Sequence, residues 1–374
     1  MNFGIYEAAV AAVILAVLAG IRMMSSARTA SLGNWIGSAA MLAAIALVLW
    51  HNNIIGTAEL YAAMGLGALV GIVLALRVTM IRMPQMVALL NGLGGGASFL
   101  VALSVIFQNH EAMDIPARST GQLALIIGAV TLSGSLVAAG KLHGLLPQRP
   151  VRIRGAGVLS FLFLAALGGL GDWATFADAG TAAVVSLAVL VLALLFGIHF
   201  TLPIGGADMP VAISLLNSYS GLAASICGFA INDILLVSIG AIVGAAGLIL
   251  TRIMCRAMNR SLMDVLTGGT SRPGAPQVKA ESPASAPTAA EEPAEAADPA
   301  SLLASASSVI IIPGYGMALA QAQSQVRALY DLLESRGTTV RFAIHPVAGR
   351  MPGHMNVLLA EVDIPYELLV EMDA

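Results

Sequence analysis

Nine apolar stretches, each long enough to cross a bilayer, run near residues 3–24, 32–50, 58–80, 84–108, 120–141, 153–171, 181–200, 207–230 and 232–252. A hydrocarbon layer holds no water to satisfy backbone N–H and C=O groups, so spans of this length must close their hydrogen bonds within helices. The predicted fold class is an α-helical polytopic membrane domain of about nine transmembrane helices, followed by an incomplete α/β Rossmann-like cytoplasmic domain. Only 10% of the 374 residues are charged and 58% are hydrophobic, too little polar surface for a chain dissolved in water. The first stretch has no basic region before it and no clear small-residue cleavage site, so it is read as a retained helix.

Charge placement sets the expected orientation. One set of alternate loops and the segment after the last span hold Arg22, Arg28, Arg77, Arg82, Lys141, Arg149, Arg152, Arg154, Arg252, Arg256 and Arg260. The opposite set holds only Arg118. Basic residues are retained in the cytoplasm, so the N-terminus is expected outside and everything after residue 252 inside. Trp35 and Trp50 at the ends of the second span, and Trp173 just after the sixth, fit interfacial anchoring. A net charge of -3 gives no reason to expect a nucleic-acid partner. Cys227 and Cys255 lack CxxC spacing, so neither a disulfide nor a metal site is inferred.

The expected domains are a membrane domain over 1–260, an Ala/Pro/Glu-rich linker over 261–305, and a β/α segment over 306–374. In that last part Val309–Ile312 suits a buried parallel strand, and Gly314 and Gly316 lead into one helical pattern through Leu319, Ala322, Val326, Leu329 and Leu333, stopped by Gly337. A second strand over 338–344 and a further helix follow. The order β, α, β, α begins a doubly wound sheet. The glycine turn has two readings, a phosphate-binding turn or an ordinary tight connection, and Leu319 stands where a third glycine would complete GxGxxG. No acidic residue closes the second strand, which ends in His345 and Pro346; this disfavours ordinary NAD and leaves room for a phosphorylated ribose. Arg350 and His354 flank Gly353, either as groups facing a cofactor phosphate or as a solvated arginine and a capping histidine.

Within the spans the polar groups at depth are mostly amides and hydroxyls: Asn91, Ser133, Ser135, Asn217, Ser218 and Ser220. Each can be interhelical glue, with Gly94, Gly95 and Gly96 packing closely beside Asn91, or together they can hold a chain of waters with Asp208 as the titratable group at the cytoplasmic mouth. Asp208 can equally be a loop cap after Gly205 and Gly206. His51 is a weaker proton-relay candidate at the outer boundary.

The segments PIGGADMPVAISLLNSYSG, MPQMVALLNGLGGG, SGSLVAAGKLHG, IPGYGMALAQAQ and HPVAGRMPGHMNVLLAE together resemble the beta-subunit family of proton-translocating NAD(P) transhydrogenases. The resemblance runs through nearly the whole chain. It implies a Re/Si-specific enzyme of a bacterial cytoplasmic membrane, coupling hydride transfer between NADH and NADP+ to inward proton movement. Hydride passes directly between the nicotinamides, with no catalytic side chain and no metal. It further implies NADP(H) on this subunit, NAD(H) on an alpha-subunit partner, and a pairing of alpha-beta units. By resemblance, Gly314, Tyr315, Gly316, Arg350 and Gly353 belong to the cofactor site, and Asp208, Asn217, Asn91 and Ser135 to proton coupling. Asn91 departs from the histidine often found in that family, and an amide can orient water but not carry a proton. The family's NADP domain is a full doubly wound sheet, so the later strands are expected to be missing and the isolated chain inactive. The alternative from another class is a transporter or channel with a nucleotide-sensing cytoplasmic domain.

Overall fold

The structure, a computed structural model, describes residues 3–26, 28–52, 54–78, 82–151, 155–206, 208–257, 261–266, 303, 306–320, 322–345, 348 and 354–370. Among these, nine helices are long and apolar enough to span a membrane. They are α1 (Phe3–Met24), α2 (Ala30–His51), α3 (Ala58–Arg77), α4 (Met83–Asn109), α5 (Ile115–Leu142), α6 (Ala156–Phe176), α7 (Ala179–Thr201), α8 (Met209–Ala230) and α9 (Ile234–Ala257). Each matches an expected apolar stretch, with three informative differences at the ends.

Helix α5 starts at Ile115 because Asp114 caps it, its carboxylate accepting the Ala117 N–H at 3.0 Å, with Pro116 in the first turn where no N–H is needed. Arg118, expected in an outer loop, therefore sits in that turn. Helix α6 runs on to Phe176, which puts Trp173 inside its last turns rather than after it. Helix α9 continues to Ala257, so Arg252 and Arg256 are helical. Arg152, Arg154 and Arg260 lie outside the described residues. Trp35, Trp50 and Trp173 are 73%, 61% and 57% exposed, pointing away from the bundle as anchors do.

Helices α5 and α8 form the centre: 61% and 67% of their apolar windows are buried, against 33% or less for every other span and 0% for α3. Small residues allow the close approach. A Cβ on Gly95 of α4 would lie 2.8 Å from the Gly128 carbonyl oxygen of α5, and one on Gly128 would lie 2.7 Å from that of Gly95. Of the glycine run expected to pack beside Asn91, Gly95 fits that role, whereas Gly94 faces open space and Gly96 meets Leu132 only at ordinary contact distance. The α1–α2 hairpin leans on α9 through Tyr6, Val10, Val13, Ala44 and Leu235. There His51, at the end of α2, stacks on Tyr6 with ring centroids 3.7 Å apart.

After the bundle, α10 (Leu262–Leu266) occupies the start of the expected linker, with Val265 buried against Met209, Val211 and Cys255. These side chains supply the apolar surface that the Ala/Pro/Glu-rich stretch lacks. The rest of that stretch, 267–302, lies outside the described residues. The C-terminal part holds β1 (Ser308–Ile311), α11 (Tyr315–Ala320), α12 (Gln323–Ser335), β2 (Thr339–Ala343), α13 (His354–Glu361) and β3 (Leu369–Val370). Its strands are parallel in the order β1-β2-β3. Phe342, Leu333, Met355, Leu358 and Leu359 fill the space between sheet and helices. The single helix expected after the glycine turn is two, because the Ala322 N–H turns back to the Met317 carbonyl at 3.0 Å and closes α11 before α12 begins. Gly337 ends α12 at φ +80, as its position suggested. A third parallel strand, beyond the two read from the sequence, begins at Leu369.

Candidate proton-coupling and cofactor sites

Helix α8 carries a ladder of polar contacts rising from its N-terminal end. Asp208 stands just before the first turn, in the N-cap position, and its side chain makes no capping hydrogen bond to α8. By helical rise Ser214 lies about 9 Å further along, Asn217 about 14 Å and Ser220 about 18 Å. Ser214 Oγ accepts from Thr251 Oγ1 at 3.0 Å and lies 3.3 Å from the Gly247 carbonyl oxygen, which ties α8 to α9. Ser218 Oγ donates to the Gly244 carbonyl at 2.6 Å.

At the upper rung three helices meet. Ser220 Oγ of α8 donates to Asn91 Oδ1 of α4 at 2.6 Å, and Asn91 Nδ2 donates to Ser135 Oγ of α5 at 3.3 Å. Asn91 and Ser135 are both buried, at 8% and 0% exposure, so these bonds are made away from solvent. The structure thus brings Asn91 and Ser135 together as the sequence suggested. Asn217 joins through its backbone, its carbonyl lying 2.9 Å from Ser220 Oγ, so Ser220 rather than the Asn217 amide bridges the helices. Ser133 turns away, with its hydroxyl 3.1 Å from the Ala129 carbonyl of its own helix. Asp208 stands apart from this cluster, lower on α8.

Two participants escaped sequence reading. Thr251 sits in a run of apolar residues on α9, and nothing in its spacing marks it. Lys141 was counted only as a cytoplasmic-side charge, yet it is fully buried, with Nζ 2.5 Å from the Leu202 carbonyl oxygen and 2.8 Å from that of Ile204. Its signal was position: a lysine at the very end of an otherwise apolar helix whose middle carries Ser133 and Ser135.

In the C-terminal part, Gly314 closes the turn after β1 and Tyr315 and Gly316 open α11. A Cβ added at Gly314 or Gly316 would meet nothing within 4 Å. Neither glycine is demanded by internal packing, and the open face above the turn lies at the carboxyl end of a parallel strand, where ligands of such sheets sit. Arg350 and Gly353, the other expected cofactor residues, lie outside the described residues. Among the described residues no three His, Cys, Asp or Glu side chains are grouped to hold a metal.

The bundle and the β/α unit touch. Val357 of α13 packs with Leu142, Ile204 and Met209, and Arg149 pairs with Asp363. Tyr366 lies in the field of Arg82 at the foot of α4; burial raises the Tyr366 hydroxyl above its usual range while the arginine opposes that shift.

Residues 6–374 match the family model described as NAD(P) transhydrogenase beta subunit. Two curated relatives named NAD(P) transhydrogenase subunit beta, from Rhodospirillum rubrum and from a named strain of that species, are each 40% identical over 368 residues, covering 96% of this chain and 78% of theirs. A nucleotide-sensing transporter is not favoured by matches of this extent.

Proposed function

Because the chain belongs to the NAD(P) transhydrogenase beta-subunit family, we propose that its bundle carries the proton path and its C-terminal β/α unit the NADP(H) site. The chain is a subunit of a membrane transhydrogenase that couples hydride transfer between NADH and NADP+ to proton translocation, working as part of a complex with an alpha subunit. NAD(H) sits on the alpha partner. We divide the chain into a membrane domain over 1–260, a linker over 261–305 and a Rossmann-like unit from 306 onward. The reading places the N-terminus outside a bacterial cytoplasmic membrane and the β/α unit in the cytoplasm, where the nucleotides are. It also includes Re/Si specificity and a pairing of alpha-beta units, both carried over from the family resemblance.

When bound, the nicotinamides exchange hydride directly, so position rather than a catalytic side chain governs the rate. Gly314 and Gly316 leave room for a pyrophosphate beside Tyr315, and Arg350 and Gly353 are assigned to the same cofactor by the family resemblance. The strand order β1-β2-β3 is that of one half of a dinucleotide-binding sheet, which supports this reading.

For the proton path, Asp208 is the group that gains and releases the proton at the mouth. The observation that carries this is the ladder on α8, with Asp208 at its foot and the Ser220–Asn91–Ser135 contacts above it. Asn91 and the hydroxyls orient water, since none of them carries a proton at neutral pH. Helix α10 lies against Met209, next to Asp208, and begins the segment leading to the β/α unit. A change of charge at Asp208 therefore acts on the element that joins the two parts, biasing the NADP unit between open and closed states.

In the complete subunit assembled with its alpha partner in sealed vesicles, Asp208→Asn is expected to lower gradient-driven NADPH formation about 10²-fold while NADPH still binds. Undiminished coupling in that variant would make Asp208 structural.

A further inference from the structure

We propose that Lys141 is a positioning residue, a charged tether that fixes the turn leading to Asp208 onto α5, so that the acid at the mouth and the polar cluster above it move as one unit. Lys141 is fully buried at the inner end of α5. Its ammonium donates to the carbonyls of Leu202 at 2.5 Å and Ile204 at 2.8 Å. Both acceptors lie where α7 ends, where the last carbonyls lack donors within the helix and the helix dipole is negative. Pro203 between them has no N–H and cannot extend the helix. An enclosed ammonium in a membrane bundle is costly unless charge-assisted bonds offset the cost, and these two carbonyls are placed to accept such bonds.

The tethered turn leads straight into the site. The Asp208 N–H donates to the Gly205 carbonyl at 3.2 Å, and the Val211 and Ala212 N–H groups return to the Asp208 carbonyl at 3.1 and 3.2 Å, so Leu202–Asp208 feeds directly into α8. From the other side the Gly206 N–H donates to the Gln148 carbonyl at 2.8 Å, and the Leu202 carbonyl also receives the Val151 N–H at 3.3 Å. On the same α5, about 9 Å deeper by helical rise, Ser135 accepts from Asn91, which in turn accepts from Ser220 of α8. Helix α5 is thus bonded to α8 through the polar cluster and to the start of α8 through Lys141. Ala138 and Leu142 of α5 also pack in one core with Ile204 and Met209, and among the hydrogen bonds of the described residues it is the lysine's that join this turn to α5 itself.

This tether rests on the reading of Asp208 as the titrating group, and the experiment separates the two. The complete complex in sealed vesicles is compared with Lys141→Met, Lys141→Arg and Asp208→Asn variants. Lys141→Met is expected to lower gradient-driven NADPH formation about tenfold and to shift its pH profile, with NADPH affinity unchanged and with much of the rate restored in Lys141→Arg. A native rate and pH profile in Lys141→Met overturns the tether, whatever Asp208→Asn does. If Asp208→Asn alone stays fully coupled, the reading of Asp208 falls instead. Backbone hydrogen exchange at Ile204, Gly205, Gly206 and Asp208 decides the tether independently of turnover and of whether the Met variant assembles. Exchange about tenfold faster in Lys141→Gln, with near-native protection in Lys141→Arg, supports it, and equal protection in both overturns it.

Discussion

Asn91 is the residue at which the amide's chemistry limits the mechanism most. Its side chain accepts from Ser220 and donates to Ser135, so it uses both ends of the amide and has no proton to pass on. Asn91→Leu is expected to cost about 1 kcal/mol of stability, since hydrogen bonds between membrane helices average about 0.6 kcal/mol and two are lost, measured by thermal unfolding in detergent. The same variant should lower proton-coupled turnover more than it lowers NADPH binding. At the other site, Gly316→Ala is expected to weaken NADPH binding about tenfold, because the new methyl would stand where the nucleotide approaches. Since it meets no protein atom within 4 Å, unfolding should change by less than about 0.5 kcal/mol. Isothermal titration and thermal unfolding of the complete subunit check both halves. Asn91 and Ser135, which the structure brings into contact, were legible as polar residues because such groups inside apolar runs stand out. Ser220's bridging and Thr251's partnership were not, because a serine or threonine on an apolar helix gives no sign of the direction its hydroxyl takes.

Helices are where the sequence spoke most plainly, since a span must be apolar for its whole length and a bilayer fixes that length. All nine stretches became helices, and the disagreements are at ends, where capping rather than hydropathy decides. The order of burial was not legible. Helices α3 and α8 are both apolar enough to span, yet one is buried over 0% of its window and the other over 67%. The glycines follow the same division: a Cβ on Gly221 or Gly228 of α8 would lie 2.5 Å from the Gly244 nitrogen or 2.7 Å from the Val237 nitrogen of α9, whereas Gly65, Gly67 and Gly71 of α3 face open space. Gly128→Leu should force α4 away from α5 and cost about 1–3 kcal/mol, whereas Gly94→Ala faces open space and should leave the melting temperature within a degree or two or raise it slightly. Opposite outcomes for these two neighbours in one thermal series would bear out the α4–α5 crossing; equal losses would contradict it. In the β/α unit the first two strands were readable from β-branched runs, but the break between α11 and α12 follows from a backbone bond that no side chain announces.

For the whole molecule, the bundle's centre, α5 and α8, holds the polar ladder, and the C-terminal β/α unit packs at its foot. Loop charge underlies the proposed orientation, and labelling of single cysteines introduced at Glu111 and at Gln148 in sealed right-side-out vesicles tests it: the first is expected to react from outside and the second only after the membrane is opened. Coupling is needed because NADH and NADPH are similar reductants, and one proton moved through 100 mV supplies about 2.3 kcal/mol to tilt the exchange. The most direct measurement is NADPH formation from NADH by the complete subunit and its alpha partner in sealed vesicles, with and without an imposed proton gradient. The account expects the gradient to raise both the rate and the final NADPH ratio, and to lose that effect when the membrane is made leaky to protons. A rate and a ratio that ignore the gradient would contradict it.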